Sequence, residues 1–160
     1  MMTNNLEKIK INFVCSGNYY RSRLAEAYFN YISDLLKLNY TADSHGLAIH
    51  FADELAKEHG EISPFSRKKL EEIGVPAKYY MRDRKPLTSY AIDSFDINIA
   101  MDKEEHTPML EKQFPERKSK FKYLQIKDVF DWEPDKTISE TILQVEGIIN
   151  QIIENKKIEI

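Results

Sequence analysis

Cys15 is the sole cysteine of this 160-residue chain, and six residues after it comes Arg21, followed at once by Ser22. A thiol and a guanidinium at that spacing, with Gly17 and Asn18 between them, are the parts needed to hold an anion against a nucleophile. Gly17 lets the backbone turn in on itself, and Asn18 is among the few non-glycine residues that tolerate a positive φ. A loop curled this way points the N–H groups of Ser16, Gly17, Asn18, Tyr19 and Tyr20 at one centre, as phosphate requires. Arg21 adds a planar two-pronged donor for two phosphoryl oxygens. The thiolate is the nucleophilic form of cysteine, and positive surroundings at a helix N-terminus favour it. The Ser22 hydroxyl is placed to donate to that sulfur and to stabilise it again as a leaving group. The bland alternative makes Cys15 a small buried apolar residue.

The elements that must position this loop follow from periodicity. Residues 8–14 hold Ile9, Ile11, Phe13 and Val14 and read as a strand. After the loop, Leu24, Ala25, Ala27, Tyr28, Tyr31, Ile32, Leu35 and Leu36 mark one face of a helix. Strand, tight loop and helix thus succeed one another without a gap, and ligands in an open parallel sheet sit beyond the carboxyl ends of the strands. Further strands are expected at residues 40–44, 97–101 and 121–126. Helices are expected at 52–57, from Pro64 to a stop at Gly74, at 85–94 and at 103–113, with a last one marked by Ile138, Ile142, Val145, Ile148, Ile149, Ile152 and Ile153. The alternation predicts a single α/β domain of three layers over residues 1–160, with a central four-stranded parallel sheet and flavodoxin-like winding.

Composition narrows the function classes. Lys plus Arg number 23 against 26 Asp plus Glu, a net charge of −3. No basic surplus of the kind that nucleic-acid binding needs is present, so no nucleic-acid partner is expected. A lone cysteine cannot close an intramolecular disulfide, and it rules out a cysteine-rich zinc site. His45, His50, His59 and His106 are spaced by five, nine and 47 residues, matching no familiar pair of helical ligands, so no metal is expected. Residues 1–10 are polar and precede too short an apolar run for a signal peptide or membrane span. The expectation is a cytoplasmic protein with a reduced thiol and no membrane partner.

The run Val14-Cys15-Ser16-Gly17-Asn18-Tyr19-Tyr20-Arg21-Ser22, followed by Ala25-Glu26-Ala27, resembles the low-molecular-weight protein tyrosine phosphatase family. The resemblance extends along most of the chain. Asp43-Ser44 stands where the family has a loop-bracing serine, Ser66-Arg67 to Gly74-Val75 is similar to its second helix, and residues 95–102 are similar to its third strand, which ends in Met-Asp. It implies a phosphatase with a phosphocysteine intermediate and no cofactor, acting on a phosphorylated protein or aryl phosphate. It also implies a late aspartate as general acid, for which Asp131 is preferred and Asp128 competes, because Trp132 after Asp131 offers a wall for a substrate ring. Ser44 would support the loop. The chain departs from the family at Tyr20, where many members have a second cysteine, at Arg23 and Trp132, where prolines are usual, and at Tyr79, near a loop-bracing histidine. Tyr19 occupies the position that separates phosphotyrosine from phosphoarginine preference and matches neither usual residue.

Three alternatives stay open at this level. A protein arginine phosphatase would use the same loop. An arsenate reductase would also use it but would need an external thiol such as glutathione. A module that binds phosphate or phosphotyrosine without turnover would keep the cradle, yet it has no need of Cys15 or of an acid.

Overall fold

The computed structural model describes residues 7–160. The expectation drawn from the polar N-terminal segment therefore falls mostly on residues outside the described ones. Four strands, β1 (Ile9–Cys15), β2 (Tyr40–Gly46), β3 (Ile97–Ala100) and β4 (Phe121–Tyr123), form one sheet in the order β2-β1-β3-β4, and every pair is parallel. This is flavodoxin-like winding: the chain leaves β1 to one side, then returns across it to build the other side.

Side chains of β1 alternate between two cores. Ile11 and Phe13 pack with Leu24, Ala27 and Phe29 of α1 (Arg21–Leu35), Leu70 of α3 (Pro64–Ile73) and Ile138, Val145 and Ile149 of α6 (Pro134–Ile153). Val14 points the other way, to Ala91 and Ile92 of α4 (Ser89–Ser94) and Leu110 of α5 (Lys103–Gln113). Helices thus cover both faces of the sheet, which is why β1 and β3 carry near-continuous apolar runs. Each fully buried Ile, Leu or Phe contributes about 1.5–3 kcal/mol by leaving water.

Local signals explain most boundaries. Ser63 caps α3 by accepting from the Phe65 amide, Pro64 opens it, and Gly74 ends it in the left-handed region at φ 93°. A short 3-10 turn, Ile49–Ala52, leads into α2 (Asp53–His59). The two largest departures from the expected boundaries have local causes. Residues 85–88 are extended rather than helical, because Gly46 donates to the Lys85 carbonyl and accepts from the Leu87 amide, and α4 starts only where Thr88 caps it. β4 ends at Tyr123, since β3 beside it ends at Ala100; Leu124 and Ile126 still donate to Ala100 and Met101. The stripe on α1 also runs past its core, leaving Leu35 and Leu36 exposed.

Among the described residues no helix is long and apolar enough to cross a membrane.

Candidate active site

The loop after β1 lies where the chain reverses its direction of winding, the position at which open α/β sheets bind ligands. Its carbonyls are tied outward by four residues of two segments, one after β2 and one at the start of α3. Cys15 and Ser16 accept from the amides of Leu47 and Ala48, Tyr19 accepts from the Ser63 amide, and Tyr20 accepts from the Ser66 hydroxyl. With the carbonyls held outside, the amides are left inside: those of Gly17, Asn18, Tyr19 and Tyr20 donate to no backbone carbonyl among the described residues. α1 begins at Arg21 without a side-chain cap, so its first N–H groups and positive dipole end join the same concavity. The positive φ of the loop, 49°, falls at Asn18. Glycine is needed instead where β2 meets the loop: a Cβ on Gly46 would lie 2.7 Å from the Ser16 carbonyl oxygen.

Asn18 organises the hydrogen bonds beneath the cradle. Its side-chain amide donates to Ser22 Oγ (3.0 Å) and Ser44 Oγ (2.9 Å), and its Oδ1 accepts from the Lys85 backbone N–H (2.8 Å). Because Ser22 Oγ accepts from Asn18, its own proton is free for Cys15 Sγ, 2.9 Å away. Ser44 in turn donates to Glu26 (2.7 Å) and accepts from Arg82 (2.6 Å). A continuous chain of polar contacts therefore fixes the thiol from below, and every member of it is buried or half-buried.

Arg21 is 2% exposed. Burial opposes its charge, but the hydrogen bond to Glu105 and the nearby Cys15 and Asp128 outweigh that and raise its pKa. Glu105 grips the guanidinium with both oxygens, at 3.0 and 2.7 Å, while Asp128 reaches it at 3.3 Å. Burial also works against ionisation of Glu105, yet hydrogen bonds from His106 and Arg21 hold its carboxyl well below the usual carboxylate range. His106 Nδ1 accepts from the Asp102 amide, which leaves the ring proton on Nε2, facing Ser16 Oγ and Glu105.

Above the cradle opens a cavity of about 860 Å³. Cys15, Ser16, Gly17 and Arg21 form its floor, Tyr19 and Tyr20 its near wall, and Phe51, Leu55, Phe65 and Phe130 its rim. Tyr20 serves core and cavity alike: its ring tilts against Phe65 at 6.1 Å, and burial pushes its phenol up to about 12. Two expected residues lie elsewhere. Asp128 lines the cavity and Asp131 does not, because the amides of Asp131 and Trp132 both turn back onto the Asp128 carbonyl and direct this part of the chain away. Trp132 packs on the core beneath Lys136, whose ammonium lies 4.3 Å from the ring centroid, so the far rim is made by Phe130 instead. The histidines are spread out: His45 and His106 are buried with their own partners, His50 meets Phe51 edge to face, and His59 borders the cavity.

Sequence reasoning missed Glu105, Arg82 and the function of Arg23. Arg23, 1% exposed, donates to the carbonyls of Glu61, Tyr80 and Arg82, and burial together with the charge of Arg82 lowers its pKa to about 10. Glu105 carried a misleading signal. Asp102-x-x-Glu105 is the pattern of a capping box, in which the glutamate accepts from the backbone amide of the capping residue, here Asp102. Here His106 takes that amide, and the Glu105 carboxylate is released to Arg21.

A family model described as low molecular weight phosphotyrosine protein phosphatase matches residues 10–140. A curated relative from Bacillus subtilis (strain 168), a protein-arginine-phosphatase, is 31% identical over 104 residues, 65% of this chain; the match spans 62% of the relative's own length. Among solved structures, YfkJ from Bacillus subtilis superposes with a TM-score of 0.76 at 20% identity, over 96% of this chain and 100% of that one. A low molecular weight protein tyrosine phosphatase from T. tengcongensis gives 0.70 at 24% identity, over 92% and 99%. These two likenesses speak to the fold.

Proposed function

Because this chain belongs to the low molecular weight phosphotyrosine protein phosphatase family, we propose that it hydrolyses aryl phosphate monoesters, phosphotyrosine in proteins foremost, through a phosphocysteine on Cys15. The observation that carries this reading is the set of donors left around the thiol: four loop amides without carbonyl partners among the described residues, and a buried Arg21 Nε–H without a partner among them either. Buried unpaired donors are costly, and a phosphoryl group supplies the acceptors they lack.

In the first step Cys15 Sγ attacks phosphorus as the bond to the leaving phenolic oxygen breaks, with charge on the phosphoryl oxygens held by the loop amides and Arg21. The incoming oxygens displace Asp128 from Arg21. The freed carboxyl, beside a dianion, carries the proton that it passes to the leaving oxygen. In the second step Asp128 takes a proton from water, the water oxygen bonds to phosphorus, and the S–P bond breaks. The electron pair returns to sulfur, where the Ser22 hydroxyl stabilises it.

The walls favour an aromatic leaving group. Tyr19, Phe51, Leu55, Phe65 and Phe130 offer rings and alkyl groups to a phenyl ring. Phosphoarginine is the second reading, supported by the curated Bacillus relative. The unpaired thiol suits a reducing compartment such as the cytoplasm. The deciding experiment compares the wild type and Cys15→Ser on phosphotyrosine and phosphoarginine peptides. The variant is expected to lose turnover while still binding inorganic phosphate, and undiminished turnover would overturn the mechanism.

A further inference from the structure

A guanidinium has five N–H donors in a rigid plane. In Arg21, three are directed to the protein: Nη1 to Glu105 Oε1 and to the Ile126 carbonyl (3.0 and 2.9 Å), and one Nη2 hydrogen to Glu105 Oε2 (2.7 Å). Two remain. Nε–H has no partner among the described residues, and the second Nη2–H holds Asp128 at 3.3 Å. Glu105 is itself fixed from other directions, by Ser16 Oγ at 2.6 Å, by His106 Nε2 at 3.1 Å and, through its backbone amide, by Asp102 Oδ2 at 3.0 Å. It does not line the cavity.

We propose that Glu105 is the positioning residue for Arg21: it grips one end of the guanidinium so that Nε–H and one Nη2–H face the phosphoryl group, and its charge weakens the cradle's hold on the phosphate product. The inference rests on the reading of the loop as a phosphoryl site. The two effects are separable. Orientation matters most for the transition state, whose equatorial oxygens demand placed donors, whereas the carboxylate's repulsion acts on every bound dianion. A carboxylate of ordinary structural duty would not divide them, since loosening a loop weakens turnover and phosphate binding together.

Glu105→Gln keeps the shape and removes the charge and one acceptor. On an aryl phosphate it is expected to lower kcat by about tenfold or more, as a displaced catalytic donor does. Inorganic phosphate, titrated by calorimetry, is expected to bind about threefold tighter or better once the facing charge is gone. Glu105→Ala should move both quantities in the same directions. Weaker phosphate binding in the variants, or an unchanged kcat, would overturn the proposal, and so would loss of the fold in both variants, because the carboxylate would then be holding the domain. A wild type that binds phosphate without turning over aryl phosphate would instead sink the proposed activity, and the calorimetric comparison would still read the effect of Glu105.

Discussion

Asp128 and Asp131 are three residues apart, yet only the first lines the cavity above the loop. Asp128 lies against Arg21 and faces the cavity, while Asp131 is turned out by the chain reversal that both its own amide and that of Trp132 make onto the Asp128 carbonyl. Asp128→Asn is therefore expected to slow aryl phosphate hydrolysis by about a hundredfold or more, the usual contribution of a general acid. Asp131→Asn should leave it within about twofold, as exposed substitutions remote from a site do. Steady-state kinetics on one substrate decides it, and the reverse ranking would return Asp131 to the role. A substrate with a leaving group that needs no proton should narrow the Asp128 effect, because the acid then has nothing to deliver.

Individual elements account for why the loop keeps its shape. Arg23, one turn into α1, fastens three carbonyls from two distant segments, and one of them is the backbone of Arg82, whose side chain braces Ser44 and Asn18. Arg23→Met would fill similar space and take the Arg23 donors from the Glu61 and Arg82 carbonyls, leaving Tyr80 only the Arg82 amide, at a cost of about 3 kcal/mol. The urea midpoint should fall accordingly, and an unchanged midpoint would show that the staple is dispensable. This connection also marks the limit of sequence reading. That Cys15, Asn18, Arg21 and Ser22 share one loop was legible because their placement is local to a strand, a turn and a helix start. The sheet was legible too, since strands buried on both faces write their burial into consecutive apolar residues. Arg82 and Glu105 were not, because each acts on a residue more than 60 positions away and neither carries a periodic or turn signal. Trp132 misled for a related reason: an aromatic side chain is equally at home on a core and on a cavity wall, and only the reversal at Asp128 decides between them.

For the molecule as a whole, the least soluble arrangement of polar groups is the buried line from His45 to Asn12 to Asn98 across β2, β1 and β3. Burial lowers the pKa of His45 to about 4 from an ordinary 6.5. Between those two values the unfolded chain binds the proton more readily than the folded one, so stability is full above about pH 6.5 and is lost as pH falls toward 4. His45→Gln, whose amide can still donate to Asn12 but cannot titrate, should flatten this part of the profile of melting temperature against pH; an equally steep profile would assign the acid loss to other groups. The outward ties of the cradle carry a further consequence. Its carbonyls are held by Leu47, Ala48, Ser63 and Ser66, and its floor by Asn18, Lys85, Glu105 and Asp128, so segments from nearly the whole chain must have docked before the amides converge. Recovery of turnover during refolding would then follow the last segment to arrive, which makes the reaction a built-in clock for completion of the fold.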